Sequence, residues 1–196
     1  MFRECRERIG RGLFTRGLTH VRGGWRRESE VCSVDTLVLV VPSVKDGAGV
    51  WRIARGSGVL DVNSSYCYLL WFRDFARTSV VALASGGVPV GFVTGFRRPE
   101  EPDTLVVWQI AVDGGQRGRG AAGAMLDHLT ARLAAGGALR FVETTISAGN
   151  AASHGLFRSF ARRHGAPLVR DLLFPAEFFP DTHDAEFLYR IGPLLR

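Results

Sequence analysis

The chain has 196 residues, 46% of them apolar, with 25 Lys plus Arg against 19 Asp plus Glu and a formal net charge of +6. At this length one domain with a packed core is expected, and the mean hydropathy of +0.06 excludes a disordered tail, a disulfide-rich miniprotein and low-complexity or collagen-like chains. The pI of about 10.0 suggests nucleic acid until the charge is located: residues 1–34 hold eight Arg and four Glu, net +4, whereas residues 35–196 are near balance at net +2.

Residues 1–34 are therefore read as a basic, disordered N-terminal extension, or an over-extended start, and 35–196 as the folded domain. Arg26-Arg27 has the look of a twin-arginine export signal, but Glu28, Glu30 and Asp35 interrupt the apolar segment such a signal needs. Cys5, Cys32 and Cys67 are odd in number and lack CxxC or Cys/His spacing, so neither a disulfide framework nor a metal site is expected, and a cytoplasmic setting fits. No apolar run approaches the roughly 18 residues that span a bilayer, so a soluble protein with no membrane partner is expected.

The domain begins with Thr36 to Val41, a β-branched and leucine run stopped by Pro42 and read as a strand. Asp46 to Arg55 and Ser64 to Arg77 read as helices, the second capped by Asp61 or Asn63. Thr78 to Ala84 and Val88 to Phe96 flank a Ser85-Gly86-Gly87 turn, and a loop over Arg97 to Asp103, with its two prolines, leads to the strand Thr104 to Val112. These three strands are expected to form an antiparallel meander. After the glycine-rich stretch Asp113 to Gly120, Ala122, Leu126, Leu129 and Leu133 keep helical spacing until Gly136-Gly137. Leu139 to Ile146 is a strand, Asn150 opens a helix to about Arg163, and Leu168 to Phe174 and Glu186 to Ile191 are the last strands. The expected fold class is α/β, a single domain with a mixed, mostly antiparallel central sheet flanked by helices.

The segment Gln116-Arg117-Gly118-Arg119-Gly120-Ala121-Ala122 joins a strand to a helix start. The first turn of a helix leaves backbone N–H groups unpaired and carries partial positive charge, so small residues there let a pyrophosphate reach the backbone, with Arg117 and Arg119 adding charge. A tight structural connection would use the same glycines. The Walker sequence is absent. Gly118, Gly120 and Gly123 match GxGxxG with Glu143 twenty residues on, but five residues separate the strand from the first glycine and too little chain follows for a second mononucleotide half, which argues against a dinucleotide fold. The acyl-CoA loop (R/Q)-x-x-G-x-(G/A) is met by Arg117, Gly120 and Ala122.

With that loop, the segments DVNSSYCYLL (61–70), PDTLVVWQIAVD (102–113), RGRGAAGAMLDHL (117–129), ETTISAGNAASHGLFRSFARR (143–163) and HDAEFLYRIGP (183–193) resemble the L-2,4-diaminobutyrate acetyltransferase family of the GNAT superfamily, over about 150 residues in the sense of a single domain. The resemblance implies a GNAT fold, acetyl-CoA as cosubstrate without a metal, a small diamine as substrate, a homodimer, and the acetylation step of ectoine biosynthesis. It implies that acetyl passes to the γ-amino group by direct attack in a ternary complex. The residues agree that no nucleophile stands out, since none of the cysteines lies near a base and Ser64-Ser65 have no His/Asp partners.

His183 and Glu186 match the family's substrate-binding HxxE and are the candidates for holding or deprotonating the amine; which does which stays open, and a surface His beside a solvated Glu is the plain alternative. Asp61 and Trp108 match positions lining the diamine pocket, although by pattern alone they read as a helix cap and a core aromatic. Ile110 and Val112 are implied to pair through their backbone with the pantetheine arm. Arg117, Gly118, Arg119, Gly120, Ala121 and Ala122 form the implied pyrophosphate loop, and Asn150 either caps its helix or contacts CoA. Phe157 stands where many GNAT enzymes carry the tyrosine that protonates the leaving thiolate, so that role is unassigned, with Tyr66 or water as substitutes. Another small amine as substrate is the enzymatic alternative, and an inert fold with a nucleic-acid-binding leader is the non-enzymatic one; no nucleic acid is expected on the leading reading.

Overall fold

The structure, a computed structural model, describes residues 32–34, 37–137 and 139–194. The basic stretch 1–31, with its export-like Arg pair, lies outside the described residues.

Among the described residues eight strands form one sheet. In chain order they are β1 (Cys32–Val34), β2 (Leu37–Val40), β3 (Val80–Leu83), β4 (Pro89–Arg98), β5 (Glu101–Val112), β6 (Phe141–Ser147), β7 (Leu168–Phe174) and β8 (Glu186–Ile191), and the spatial order is β1-β2-β3-β4-β5-β6-β8-β7. Every neighbouring pair is antiparallel except β5 with β6, so the expected mixed, mostly antiparallel sheet with its β3-β4-β5 meander is present. β1 adds pairing just ahead of residue 35, the expected start of the domain.

Among the described residues four α-helices cover the sheet: α1 (Gly47–Ser57), α2 (Ser65–Asp74), α3 (Ala121–Ala135) and α4 (Ala151–Arg163). Val80, Ala82 and Val93 pack on the α3/α4 side with Leu126, Leu129 and Phe160. Val81 and Phe92 pack on the α1/α2 side with Val50, Ile53, Tyr68 and Phe72. Strands covered on both faces read as continuous apolar runs, which is why β3 shows no alternation in sequence.

Three boundaries differ from expectation. The loop over Arg97 to Asp103 is a tight hairpin, because Arg98 already pairs with Glu101 and Pro102 lies within β5; a proline near a strand start removes a donor only where the ladder has barely begun. α2 ends at Asp74, and a 3-10 turn over Ala76–Thr78 carries the chain onward. Its cap is Ser64, whose hydroxyl accepts from the Cys67 N–H at 3.4 Å, and neither Asp61 nor Asn63 caps it. Among the described residues no helix is long and apolar enough to cross a membrane.

The register of β4 against β5 carries one irregularity near its middle. Thr94 pairs with Gln109 and Gly95 with Val107, so Trp108 is an extra residue in β5, a β-bulge. Before it Leu105 and Val107 belong to the α3/α4 core; after it Ile110 and Val112 pack against that core, while Ala111 joins the other. The extra residue inverts the alternation of the strand. Parallel pairing of β5 with β6 also stops at Val107 with Thr144, leaving the C-terminal half of β5 splayed from β6.

Candidate active site

The splay opens a cleft of about 780 Å³ between β5, the glycine loop, α3 and the start of α4, within the usual size range of small-molecule sites. Its backbone wall follows from strand chemistry. Asp113 N–H donates to the Val90 carbonyl, and hydrogen-bonded pairs alternate along antiparallel strands, so the backbone groups of Ile110 and Val112 point away from β4 and toward the cleft. Both residues line it.

At the foot of this wall, Gly118 and Gly120 both have φ near 78°, a left-handed conformation that costs glycine little and other residues more. A Cβ built on either meets nothing within 4 Å, so the loop faces open space. Gly120 caps α3, and the next helical residues, Ala121, Ala122 and Gly123, line the cleft with the unpaired N–H groups of a first helical turn. This is a cradle for an anion joined to a longer, partly apolar ligand.

The two loop arginines separate. Arg117 lines the cleft, with Nε donating to the Val112 carbonyl at 3.1 Å and Nη2 to the Ser57 carbonyl at 3.3 Å, which ties the loop to the end of α1. Arg119 is exposed, reaches Gln116 Oε1 at 3.4 Å and is not among the residues lining the cleft. Asn150 does two jobs: its Oδ1 accepts from Ser153 N–H at 3.1 Å, capping α4, and the residue also lines the cleft. Farther along, Arg163 forks onto Asp127 with two 3.0 Å bonds, and His164 reaches the same carboxylate at 3.0 Å. Burial pushes the Asp127 carboxyl up, but the hydrogen bonds from His164 and Arg163 and the arginine charge outweigh it and hold it below the ordinary aspartate value.

Asp61 converges with His183 and Glu186, more than a hundred residues further along the chain, next to Leu60 of the cleft wall. His183 Nε2 lies 3.5 Å from Asp61 Oδ2 and 3.9 Å from Glu186 Oε1. Asp61 follows Leu60, a cleft residue, on the loop after α1, where the Ser57 hydroxyl accepts from the N–H groups of Val59 and Leu60. Glu186 opens β8 opposite Ser147 at the end of β6. The His183 ring lies under Phe179, with centroids 4.2 Å apart and planes at 20°, and its Nδ1 donates to the Asp184 carbonyl at 2.7 Å.

That backbone bond, with Asp61 and Glu186 adding their charges against a desolvation effect, raises the His183 pKa above the ordinary value. Burial raises the Glu186 carboxyl, only partly offset by His183 and by a bond from Thr145. The result is a net-negative pocket with a carboxylate that takes up a proton more readily than usual.

The Trp108 ring stacks on Trp71 of α2 at 4.3 Å, and Trp71 in turn packs on Phe75 and Phe96. Tyr66 is 67% exposed and not among the residues lining the cleft, and Phe157 is buried in the core. Sequence reasoning missed Thr145 and Phe179; the first lies in the ETT run, but nothing in their spacing shows what they face. Among the described residues no group of three His, Cys, Asp or Glu is arranged to hold a metal ion.

The chain is similar to known acetyltransferases. The model of the acetyltransferase (GNAT) family matches residues 51–161. The L-2,4-diaminobutyric acid acetyltransferase of Streptomyces avermitilis is 60% identical over 154 residues, 78% of this chain and 86% of that protein. The protein of the same name from Streptomyces anulatus is 57% identical over 169 residues, 86% and 93% of the two chains. A solved diaminobutyrate acetyltransferase from Paenibacillus lautus, in complex with L-2,4-diaminobutyric acid and coenzyme A, is 41% identical with a TM-score of 0.77, covering 82% of this chain and 96% of that one. On cleft, loop and kinship together, the chain belongs to the L-2,4-diaminobutyric acid acetyltransferase family of the GNAT superfamily.

Proposed function

We propose that the protein transfers the acetyl group of acetyl-CoA to the γ-amino group of L-2,4-diaminobutyrate, by direct attack in a ternary complex, as the acetylation step of ectoine biosynthesis. The observation that carries this reading is the meeting of Asp61, His183 and Glu186 beside a cleft with an anion cradle. Diaminobutyrate at neutral pH bears two ammonium groups and one carboxylate, and a pocket of two carboxylates and one imidazole complements that charge.

Acetyl-CoA, when bound, supplies the activated thioester. The N–H groups of Ala121, Ala122 and Gly123 hold its pyrophosphate, with Arg117 beside them, while the outward backbone of Ile110 and Val112 aligns the pantetheine arm as an added strand. Asn150 serves as cap and cleft wall together. Asp61 holds an ammonium, His183 lies between the two carboxylates, and Glu186 accepts one proton of the γ-ammonium; as the C–N bond forms and the C–S bond breaks, the second proton lost by the nitrogen passes through water to the departing thiolate. Trp108 acts from its aromatic stack as a rigid wall behind the bulge. Arg119 has at most an outer, solvent-side part in the loop.

A homodimer in the cytoplasm completes the reading. The edge strand β7, with Val169, Leu172 and Phe174 exposed, supports self-association, since long apolar edges pair unless covered.

The test is acetyl-CoA-dependent thiol release with mass detection of the product. Fast turnover with L-2,4-diaminobutyrate and far slower turnover with ornithine or lysine is expected; no turnover with any short diamine overturns the proposal. The cradle has its own test. Gly120→Val forces a β-branched residue to φ near 78° and fills the open space before the helix, so the KM for acetyl-CoA should rise at least about tenfold while that for the diamine stays within about twofold. Steady-state kinetics with each substrate varied in turn distinguishes this from general misfolding.

A further inference from the structure

Gln109 does not line the cleft, yet it is 5% exposed and its backbone and side-chain polar groups are all used. Its backbone N–H donates to the Thr94 hydroxyl at 3.2 Å, and its carbonyl accepts from the same hydroxyl at 3.3 Å. In the side chain, Oε1 accepts from the Tyr68 hydroxyl at 2.9 Å and Nε2 donates to the backbone carbonyl of Asp61 at 2.9 Å. Tyr68 is fully buried in the α1/α2 core, its ring edge-on to Phe92 at 6.2 Å.

The chain of contacts therefore runs from the core, through one amide, to the backbone of the loop that carries Asp61. That backbone takes one further bond, from Asn63 Nδ2 at 3.4 Å, while the Asp61 side chain is 87% exposed and reaches toward His183. The amide has a single satisfactory orientation, because its flipped form would set Oε1 against the Asp61 carbonyl. The bulge is what places it: without the extra residue Trp108, Gln109 would share the face of Leu105 and Val107, on the α3/α4 side and away from Tyr68.

We infer that Gln109 is a positioning residue for the diamine site: by holding the carbonyl of Asp61 it sets where the Asp61 carboxylate stands relative to His183 and Glu186, and so sets affinity for the diamine. The inference rests on the proposed reading of Asp61, His183 and Glu186 as the diamine site. An exposed carboxylate on an untethered loop would sample many positions, and its attraction for an ammonium weakens once water enters between them.

The experiment uses the full chain and three variants, with KM measured separately for L-2,4-diaminobutyrate and acetyl-CoA. Gln109→Met keeps the length of the side chain and deletes both of its bonds; it should raise the KM for the diamine about tenfold and leave that for acetyl-CoA within about twofold. Tyr68→Phe removes one hydroxyl from a packed core and should raise the same KM about threefold, so it decides the matter if the first variant does not fold. Asp61→Asn separates the two levels of argument. If Asp61→Asn raises the diamine KM while Gln109→Met and Tyr68→Phe do not, or raise both KM values alike, the positioning role is overturned and the site stands. If Asp61→Asn itself leaves the diamine KM unchanged, the reading of the site fails and the positioning role falls with it.

Discussion

Replacing Glu186 with Gln is expected to lower kcat for L-2,4-diaminobutyrate by about 10²- to 10⁴-fold, the usual span for a lost general base. An alkyl ammonium has a pKa of about 10.4, so more than about 99% of it is protonated at pH 7 and cannot attack until a base accepts the proton. Glu186 is half-buried, and burial raises its carboxyl above the ordinary value even against the neighbouring imidazole. The sign of the pH effect follows. The ionised carboxylate is the active form, so kcat/KM falls as pH drops through a pKa that lies above the roughly 4.3 of a free glutamate. That acid limb should vanish in Glu186→Gln. The amide keeps the size and much of the hydrogen bonding of the carboxylate, so the KM for acetyl-CoA should hardly move. Wild-type turnover in this variant would refute the assignment of Glu186 as the base.

The second large effect is on stability. Glu143 is 2% exposed on β6, and its two oxygens are held by Arg98 Nη1 at 2.7 Å and by a very short bond from Arg190 Nη1; Arg190 Nη2 continues to Glu101 Oε2 at 2.8 Å. Glu143→Leu removes the one buried anion of this network and leaves two cations facing an apolar group. Breaking a buried pair from one side costs about 3 to 5 kcal/mol, and because both arginines retain some water contact the lower end, about 3 kcal/mol, is expected here. Glu101→Ala, at the exposed end of the same network, should shift the midpoint far less than Glu143→Leu does. Urea unfolding with an unchanged m-value measures both. Equal midpoints for Glu143→Leu and the wild type would show that the network contributes nothing. This residue is also where the dinucleotide match ends: the carboxylate that fits a ribose contact by spacing is spent on two arginines between strands.

Much of the architecture was legible because it is locally encoded. The apolar runs of β3 and β5, the leucine spacing of α3 and the Asn150 cap each report a backbone preference that few neighbours can override. The boundaries that moved did so for equally local reasons: Ser64 outcompetes Asp61 and Asn63 as a cap because its hydroxyl stands three residues before Cys67, and the 97–103 segment tightens because β4 and β5 keep pairing into it.

The site was legible only in its parts. The glycine loop announces an anion cradle from sequence, since positive φ and an uncapped helix start are properties of a few adjacent residues. That Arg117 turns into the cleft wall and Arg119 away from it could not be read there, because one residue's partners lie at Val112 and Ser57 and the other's does not.

The net charge of +6 follows the same division. Counting placed most of the excess in residues 1–34 and left the domain near balance, and no structure was needed for that. Counting could not find the cluster proposed to hold the diamine, because Asp61, His183 and Glu186 are more than a hundred residues apart at their extremes and meet only after β8 inserts between β6 and β7. Nor could it find the bulge at Trp108, whose effect is to change which face the next side chain occupies. Periodicity and capping are short-range and sit in the sequence; strand order and register are settled by packing across the whole sheet, and it is these that assemble the site.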